Sequence, residues 1–231
     1  MKKSFLLLIA ALIMGSSVFA QGVDIAIGPK IGYQTAKLSY DKASIKSEFS
    51  NHFTAGIFAR VGIGNIYIQP ELLYFKTSNI FDYNLTGTNQ RIDIPTGVNL
   101  TLNEANLQLP VLVGIKLLDL DVICLRAQVG PTANFVLKSQ TLVNWEFNNN
   151  TEQSEEIPEG FDTKSIAWGM QAGVGVDILN LFTLDINYNL GLTNIFNKLG
   201  QQNIGGHVID FTNIDNTKQN LFMVTLGMKF L

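Results

Sequence analysis

The sequence predicts an all-β protein, an eight-stranded antiparallel up-and-down barrel that spans a membrane. Three observations carry that prediction. Apolar and polar residues alternate with a period of two in run after run. The connections between the runs are short and long in turn. In the stretch from Ser165 to Asn194 the positions between the large apolar residues are mostly Gly, Ala, Asn and Asp, which suits a crowded interior better than a sheet face in bulk water. The clearest stretch is Ser165 to Asn194. There Ile166, Trp168, Met170, Ala172, Val174, Val176 and Ile178 alternate with Ala167, Gly169, Gln171, Gly173, Gly175 and Asp177. After Asn180, Phe182, Leu184, Ile186, Tyr188, Leu190 and Leu192 alternate with Thr183, Asp185, Asn187, Asn189 and Gly191. Two such runs joined by a very short connection make a β-hairpin.

The 231 residues suit one domain. Lys2 and Lys3, the apolar run Phe5 to Met14, and small residues at Val18 and Ala20 read as a secretory signal peptide cleaved after Ala20. Residues 21–231 are then the barrel domain. The apolar run is too short for a spanning helix, which needs about 20 residues. Without Lys2 and Lys3 the chain carries 14 basic and 19 acidic residues, net −5, which disfavours nucleic acid as a partner. The single Cys124 excludes an internal disulfide.

Eight strands follow in order. The first runs from about Asp24 to Lys37, with Ile25, Ile27, Ile31 and Tyr33 outward. The second, His52 to Gly64, points Phe53, Ala55, Ile57, Ala59, Val61 and Ile63 outward. Gly64-Asn65 turns tightly into the third, Ile66 to Lys76, with Ile66, Ile68, Leu72 and Tyr74 outward. The fourth, Ala105 to Leu118, alternates at Leu107, Leu109, Val111, Val113, Ile115 and Leu117. Its apolar stretch is not a helix, because Pro110, Lys116, Asp119 and Asp121 interrupt it. A short turn at Asp119 to Asp121 leads into the fifth, Val122 to Leu137, with Leu125, Ala127, Val129, Ala133 and Phe135 outward. The sixth and seventh are the hairpin already described. The eighth, Asn220 to Leu231, points Phe222, Val224, Leu226, Met228 and Phe230 outward.

Connections after the second, fourth and sixth strands are a few residues each. The others are long: Leu38 to Asn51, Thr77 to Glu104, Lys138 to Lys164, and about Ile195 to Gln219. Short periplasmic turns and long extracellular loops on an even strand number are the pattern of bacterial outer-membrane barrels. A soluble eight-stranded barrel would need an apolar interior, and the inward set is too polar for one. Closure also pairs every strand edge, which lipid demands.

Three segments support a resemblance: Tyr67-Ile-Gln-Pro-Glu-Leu-Leu-Tyr74, Leu107-Gln-Leu-Pro-Val-Leu112 and Asp185-Ile-Asn-Tyr-Asn-Leu-Gly-Leu192. Together they resemble the PorT-like family of bacterial outer-membrane β-barrels. The resemblance covers essentially the whole mature chain, and its most specific part is Gln69 to Leu73. It implies an eight-stranded barrel in the outer membrane. A named member is similar to components of a protein-secretion system.

Few residues suggest chemistry. His52, at the loop end of the second strand, could serve a lipid-modifying enzyme with Ser50 or Ser47 as nucleophile and Glu48 orienting the ring. A histidine at the wet rim is the plainer expectation. His207 lies in the last long connection beside Gly205-Gly206. The acidic set Glu146, Glu152, Glu155, Glu156, Glu159 and Asp162 lacks the spacing of a calcium loop. Gly62 with Gly64, and Gly173 with Gly175, are not a nucleotide fingerprint, because no helix follows them. No zinc spacing and no triad are present, and no cofactor is expected.

The informative inward residues are charged. Parity places Lys30, Arg60, Lys116, Arg126 and Lys229 inside, with Glu71, Asp177 and Asp185. An eight-stranded interior is just filled by side chains, so these charges are expected to pair across it. Glu71 is expected to accept from Arg60 or Arg126. Three functions fit: a structural or interaction protein presenting loops to partners, with a secretion accessory as its specific form; a small channel; and the lipid-modifying enzyme. The first is preferred, with no catalysis. Outer-membrane lipid, and proteins at the extracellular loops or periplasmic turns, are the expected partners.

Overall fold

The structure is a computed structural model that describes residues 22–39, 50–84, 97–120, 122–146, 152–157, 164–195, 201–204, 207–210 and 217–230. Its strands are β1 (Val23–Ser39), β2 (Ser50–Ile63), β3 (Ile66–Asn84), β4 (Gly97–Asp119), β5 (Ile123–Glu146), β6 (Glu152–Ile157), β7 (Ile166–Ile178), β8 (Phe182–Gly191), β9 (Gln201–Ile204), β10 (His207–Asp210) and β11 (Lys218–Met228). Eight of them form a closed antiparallel ring in the order β1-β2-β3-β4-β5-β7-β8-β11, with β11 returning to β1. Past β11, Phe230 extends that closing seam by exchanging backbone hydrogen bonds with Ile27, at 2.8 and 3.2 Å.

Pairing is staggered round the ring. From Gln34 the registers lead through Met223, Asn187, Gly173, Gln128, Gly114, Tyr67 and Gly62 to Asp24, ten residues from the start. Stagger and strand number together set the bore, and eight strands leave only side-chain width.

The alternation becomes two faces. On β8, Thr183, Asp185, Asn187 and Asn189 are at most 5% exposed, whereas Leu184, Ile186, Tyr188 and Leu190 are 37–49% exposed. The large apolar side chains therefore point away from the barrel. The short connections sit at one end, the turn end. Asn180 and, less usually, Leu179 adopt left-handed backbone there with φ of 53°, and Gly64 does so at 59°.

The structure extends the strands beyond the expected limits. β3 continues to Asn84, β4 starts at Gly97 and β5 reaches Glu146, so much of two supposed loops is sheet. β6 pairs with Thr141–Glu146 of β5, and β9 with β10 forms a separate hairpin; neither was anticipated. The reason is visible on β4. From Leu107 to Leu117 its exposed residues are apolar, but higher up Leu102 is buried while Thr101 and Asn103 are half-exposed. The apolar phase flips, so the outward pattern used to find strands stops. A β-bulge in the β4–β5 ladder between Ala105 and Asn106 lies at the same height.

The interior is also less uniformly polar than expected. Ala36, Leu73, Phe75, Leu221 and Met223 form a buried apolar cluster near the loop end.

Candidate functional site in the barrel interior

Below that cluster lies a charged network. Asp177 on β7 is its hub: Arg60 Nη1 lies 2.7 Å and Lys229 Nζ 3.1 Å from Oδ2, and Arg126 Nη2 2.9 Å from Oδ1. Arg126 Nη2 also lies 2.8 Å from Asp185 Oδ1, and Asp185 Oδ2 lies 2.8 Å from Lys30 Nζ. Lys30 in turn meets Glu71 Oε1 at 2.6 Å. Neutral groups fill the remaining valences. Thr183 Oγ1 accepts from Arg126 Nη2 at 2.6 Å, and Tyr67 Oη accepts from Arg126 Nη1 at 3.1 Å.

Glu71 does not accept from Arg60 or Arg126, which corrects the sequence expectation. Its partners are Lys30 and Gln69, whose Nε2 donates to Oε1 at 2.6 Å. Arg60 donates from Nε to Gln69 Oε1 at 2.6 Å and turns its outer nitrogens toward Asp177 and Thr183. Gln69 thus stands between the guanidinium and Glu71. Phe58, the register partner of Glu71, packs beside both cations, with Lys30 Nζ 5.3 Å and Arg60 Cζ 5.7 Å from its ring centre.

Lys116 stays outside this network. It pairs with Asp24 at 3.0 Å and Asp119 at 3.2 Å at the turn end, where both carboxylates are well exposed. The other seven charges come from β1, β2, β3, β5, β7 and β8 and from Lys229 just past β11. The close fit constrains the backbone as well. A Cβ on Gly175 would strike Asp185 and Arg126, and one on Gly114 would strike the Tyr67 ring. The sequence reading missed Gln69, Thr183 and Tyr67, because their roles depend on which residues the stagger brings level.

At the loop end the outward residues beside Tyr74 and Leu107 give way to Lys76, Ser78, Ala105 and Asn103. Glu104 lies there, facing inward and 5% exposed. Burial pushes its carboxyl up to about 7, against a smaller opposing effect of the Thr77 hydroxyl. His52 is at the same rim. Its Nε2 accepts the Ser78 backbone N–H at 3.0 Å, just where the β2–β3 ladder ends at Thr54 and Phe75. Partial burial holds this imidazole below its ordinary range. Ser47 and Glu48 lie outside the described residues, as do the side chain of Ser50 and the first 21 residues. Among the described residues no three metal-ligating side chains converge.

A closed eight-stranded barrel with an apolar outer face, a polar network within and short turns at one end has the form of an outer-membrane protein. The family model described as outer membrane protein beta-barrel domain matches residues 19–197, well over half of the chain. The chain belongs to that family. It therefore sits in the outer membrane, with its short turns periplasmic and its long connections extracellular. Among solved structures it is similar to the outer membrane protein OprG from Pseudomonas aeruginosa: 12% identity, TM-score 0.47, covering 90% of this chain and 95% of that one. It is also similar to Ail, the attachment invasion locus protein of Yersinia pestis, at 10% identity and TM-score 0.42, covering 91% and 99%. Neisserial surface protein A gives 10% identity and TM-score 0.38, covering 91% and 100%. No curated protein matches the sequence.

Proposed function

We propose that this protein is a non-conducting, non-catalytic outer-membrane barrel that holds its extracellular sheet and loops out to protein partners. The observation that carries this is the filled interior. The network around Asp177 and Asp185 is followed, toward the outside, by the apolar cluster of Phe75, Leu73 and Met223. Ions would have to break buried pairs and then cross an apolar layer. In a planar bilayer the purified protein should show no large steady conductance. A stable open pore would overturn the proposal in favour of a channel, and Glu71→Gln should then alter its ion selectivity.

The absence of catalysis is part of the proposal. His52 already has a structural task at Nε2, which is the nitrogen a base would need free or bound to a nucleophile. Altered acylation of lipid A or phospholipid on expression would refute this part. The more specific form is a secretion accessory, supported by the resemblance of Tyr67 to Tyr74 and the two other segments to the PorT-like family. Co-purification from membranes tests it: secretion components bound to the barrel support it, and none refute it. We further propose that the chain is exported with cleavage after Ala20, and that lipid contacts the apolar outer face. N-terminal sequencing of the mature protein tests the cleavage. Neither nucleic acid nor a cofactor has a part in this function.

A further inference from the structure

The seam between β2 and β3 ends early. Their ladder stops at Thr54 and Phe75, although β2 stays paired with β1 up to Ser50 and β3 with β4 up to Asn84. At this seam the rim is therefore two separately paired parts. One is the ribbon of β1 and β2, and the other is the sheet of β3, β4, β5 and β6. Continued in register, the ladder would set Asn51 opposite Ser78. Instead the side chain of His52 crosses the gap, and its Nε2 accepts the Ser78 N–H at 3.0 Å. Among the described residues this is the hydrogen bond that joins β2 to β3 above the ladder.

The bond fixes the state of the ring. An Nε2 that accepts a backbone N–H holds no proton, so the neutral ring carries its hydrogen on Nδ1. An imidazolium donates from both nitrogens and accepts nothing. A proton on Nε2 would set one N–H against another across the gap, and the link to Ser78 would be lost. No charged side chain stands ready to compensate. Opposite His52 on β1 is Gln34, and beside it on β3 are Thr77 and Ser78, all neutral. Lys76 is exposed on the outer face. Glu104 of β4 is one strand farther, behind Thr77, in a chain that runs on through Asn106 to Asn134. Partial burial alone holds the imidazole below its ordinary range.

We propose that His52 is an acid-released staple: neutral, it holds the β2–β3 seam shut at the extracellular rim, and protonated, it lets the strands part above Thr54 and Phe75. The sign follows from the acceptor role. The link is complete above the ordinary 6.5 of histidine, and it is lost as pH falls through the lower value in the fold. Acid thus frees the sheet of β3 to β6 from its neighbour by a local opening, with the ring of strands below intact. This adds a control to the extracellular sheet of the function proposed above and rests on that reading for its use. No partner enters the experiment, so the two can fail separately.

The full mature barrel in detergent micelles is compared at about pH 7.5 and about pH 5. Amide exchange is corrected for its intrinsic pH dependence. Protection of Ser78 should fall about tenfold in acid, while the belt amides from Leu109 to Val113 keep theirs. Spin labels on F53C and K76C, in a C124A background, report the seam itself, and their separation should widen in acid. Both responses should vanish in His52→Gln, whose amide oxygen accepts at either pH. Nitrogen NMR of the imidazole should place the neutral ring's proton on Nδ1. Unchanged protection of Ser78 overturns the proposal, as does an unchanged label separation. So does a pH response that survives in H52Q, or a neutral ring protonated on Nε2.

Discussion

β4 passes through two surroundings, and between them its outward positions change from apolar to polar. From Leu117 up to Leu107 the outward residues are apolar, and Gln108, Leu112 and Gly114 face in. Above Ala105 the outward residues are Asn103 and Thr101, and Leu102 is buried. The backbone is the same extended chain throughout. What differs is the medium outside it: hydrocarbon below, water above. Where lipid covers the outer face, the polar groups go inside and must satisfy one another, which is the work of the network. Where water covers it, the outward positions are polar and an apolar residue, Leu102, is buried beside Glu104. The cluster around Phe75 marks the height of the change.

That comparison can be broken most severely at the ring itself. Deleting Leu221 to Leu231 removes the partner of both β1 and β8 and opens two edges to lipid. Complete loss of membrane assembly is expected, read as loss of heat-modifiable migration on a gel. Next comes the hub below the boundary. Asp177→Ala leaves Arg60, Arg126 and Lys229 without their shared anion, and a broken buried pair typically costs about 3–5 kcal/mol. Denaturant unfolding in liposomes measures it, and a loss below 1 kcal/mol would mean that the charges repack.

The position of the boundary is tested by arginine on the outer face. Val174→Arg or Ile186→Arg, deep in the apolar belt, should destabilise by about 2–4 kcal/mol. Asn103→Arg, a few residues above the belt on β4, should change almost nothing. Equal effects would move the lipid boundary and undo the comparison.

Glu104 gives a smaller effect with a definite pH signature. Its carboxyl rises from the ordinary 4.5 to about 7 in the fold, so the folded state binds this proton more tightly than the unfolded one. The stabilisation is full below about 4.5 and disappears as pH rises through about 7. Glu104→Gln should remove that dependence and stabilise the protein above neutrality, by on the order of 2–3 kcal/mol. Unfolding of both forms at pH 4 and pH 8 decides it, and parallel pH curves would count against the assignment. The smallest expected change is His52→Ala. It orphans one rim N–H, worth about 1 kcal/mol, and Ser78 should exchange its amide hydrogen faster.

How much could be read in advance follows from the same boundary. Leu107 to Leu117 announce a strand because lipid enforces one apolar residue in two. Val98, Leu100 and Leu102 alternate as well, but on the opposite parity, and they passed for loop. The inward parity of Lys30, Arg60 and Asp185 was legible from the same alternation. Their pairing was not: which residues share a height depends on the ten-residue stagger, and no local pattern encodes it. For the same reason the chain from Glu104 through Thr77 and Asn106 to Asn134, spread over three strands, left no mark in the sequence.

The charged network also has a place in time. Arg60 and Asp177 are 117 residues apart, and Arg60 and Thr183 are 123 apart. Lys229 reaches Asp177 only once the last strand has seated. Contacts of such separation form late, after most loop-closure entropy has been lost. The network is then largely absent from the folding transition state, so weakening it should hasten unfolding while leaving the folding rate almost unchanged. Asp177 and its cations therefore govern how long a finished barrel lasts, more than how quickly one is made.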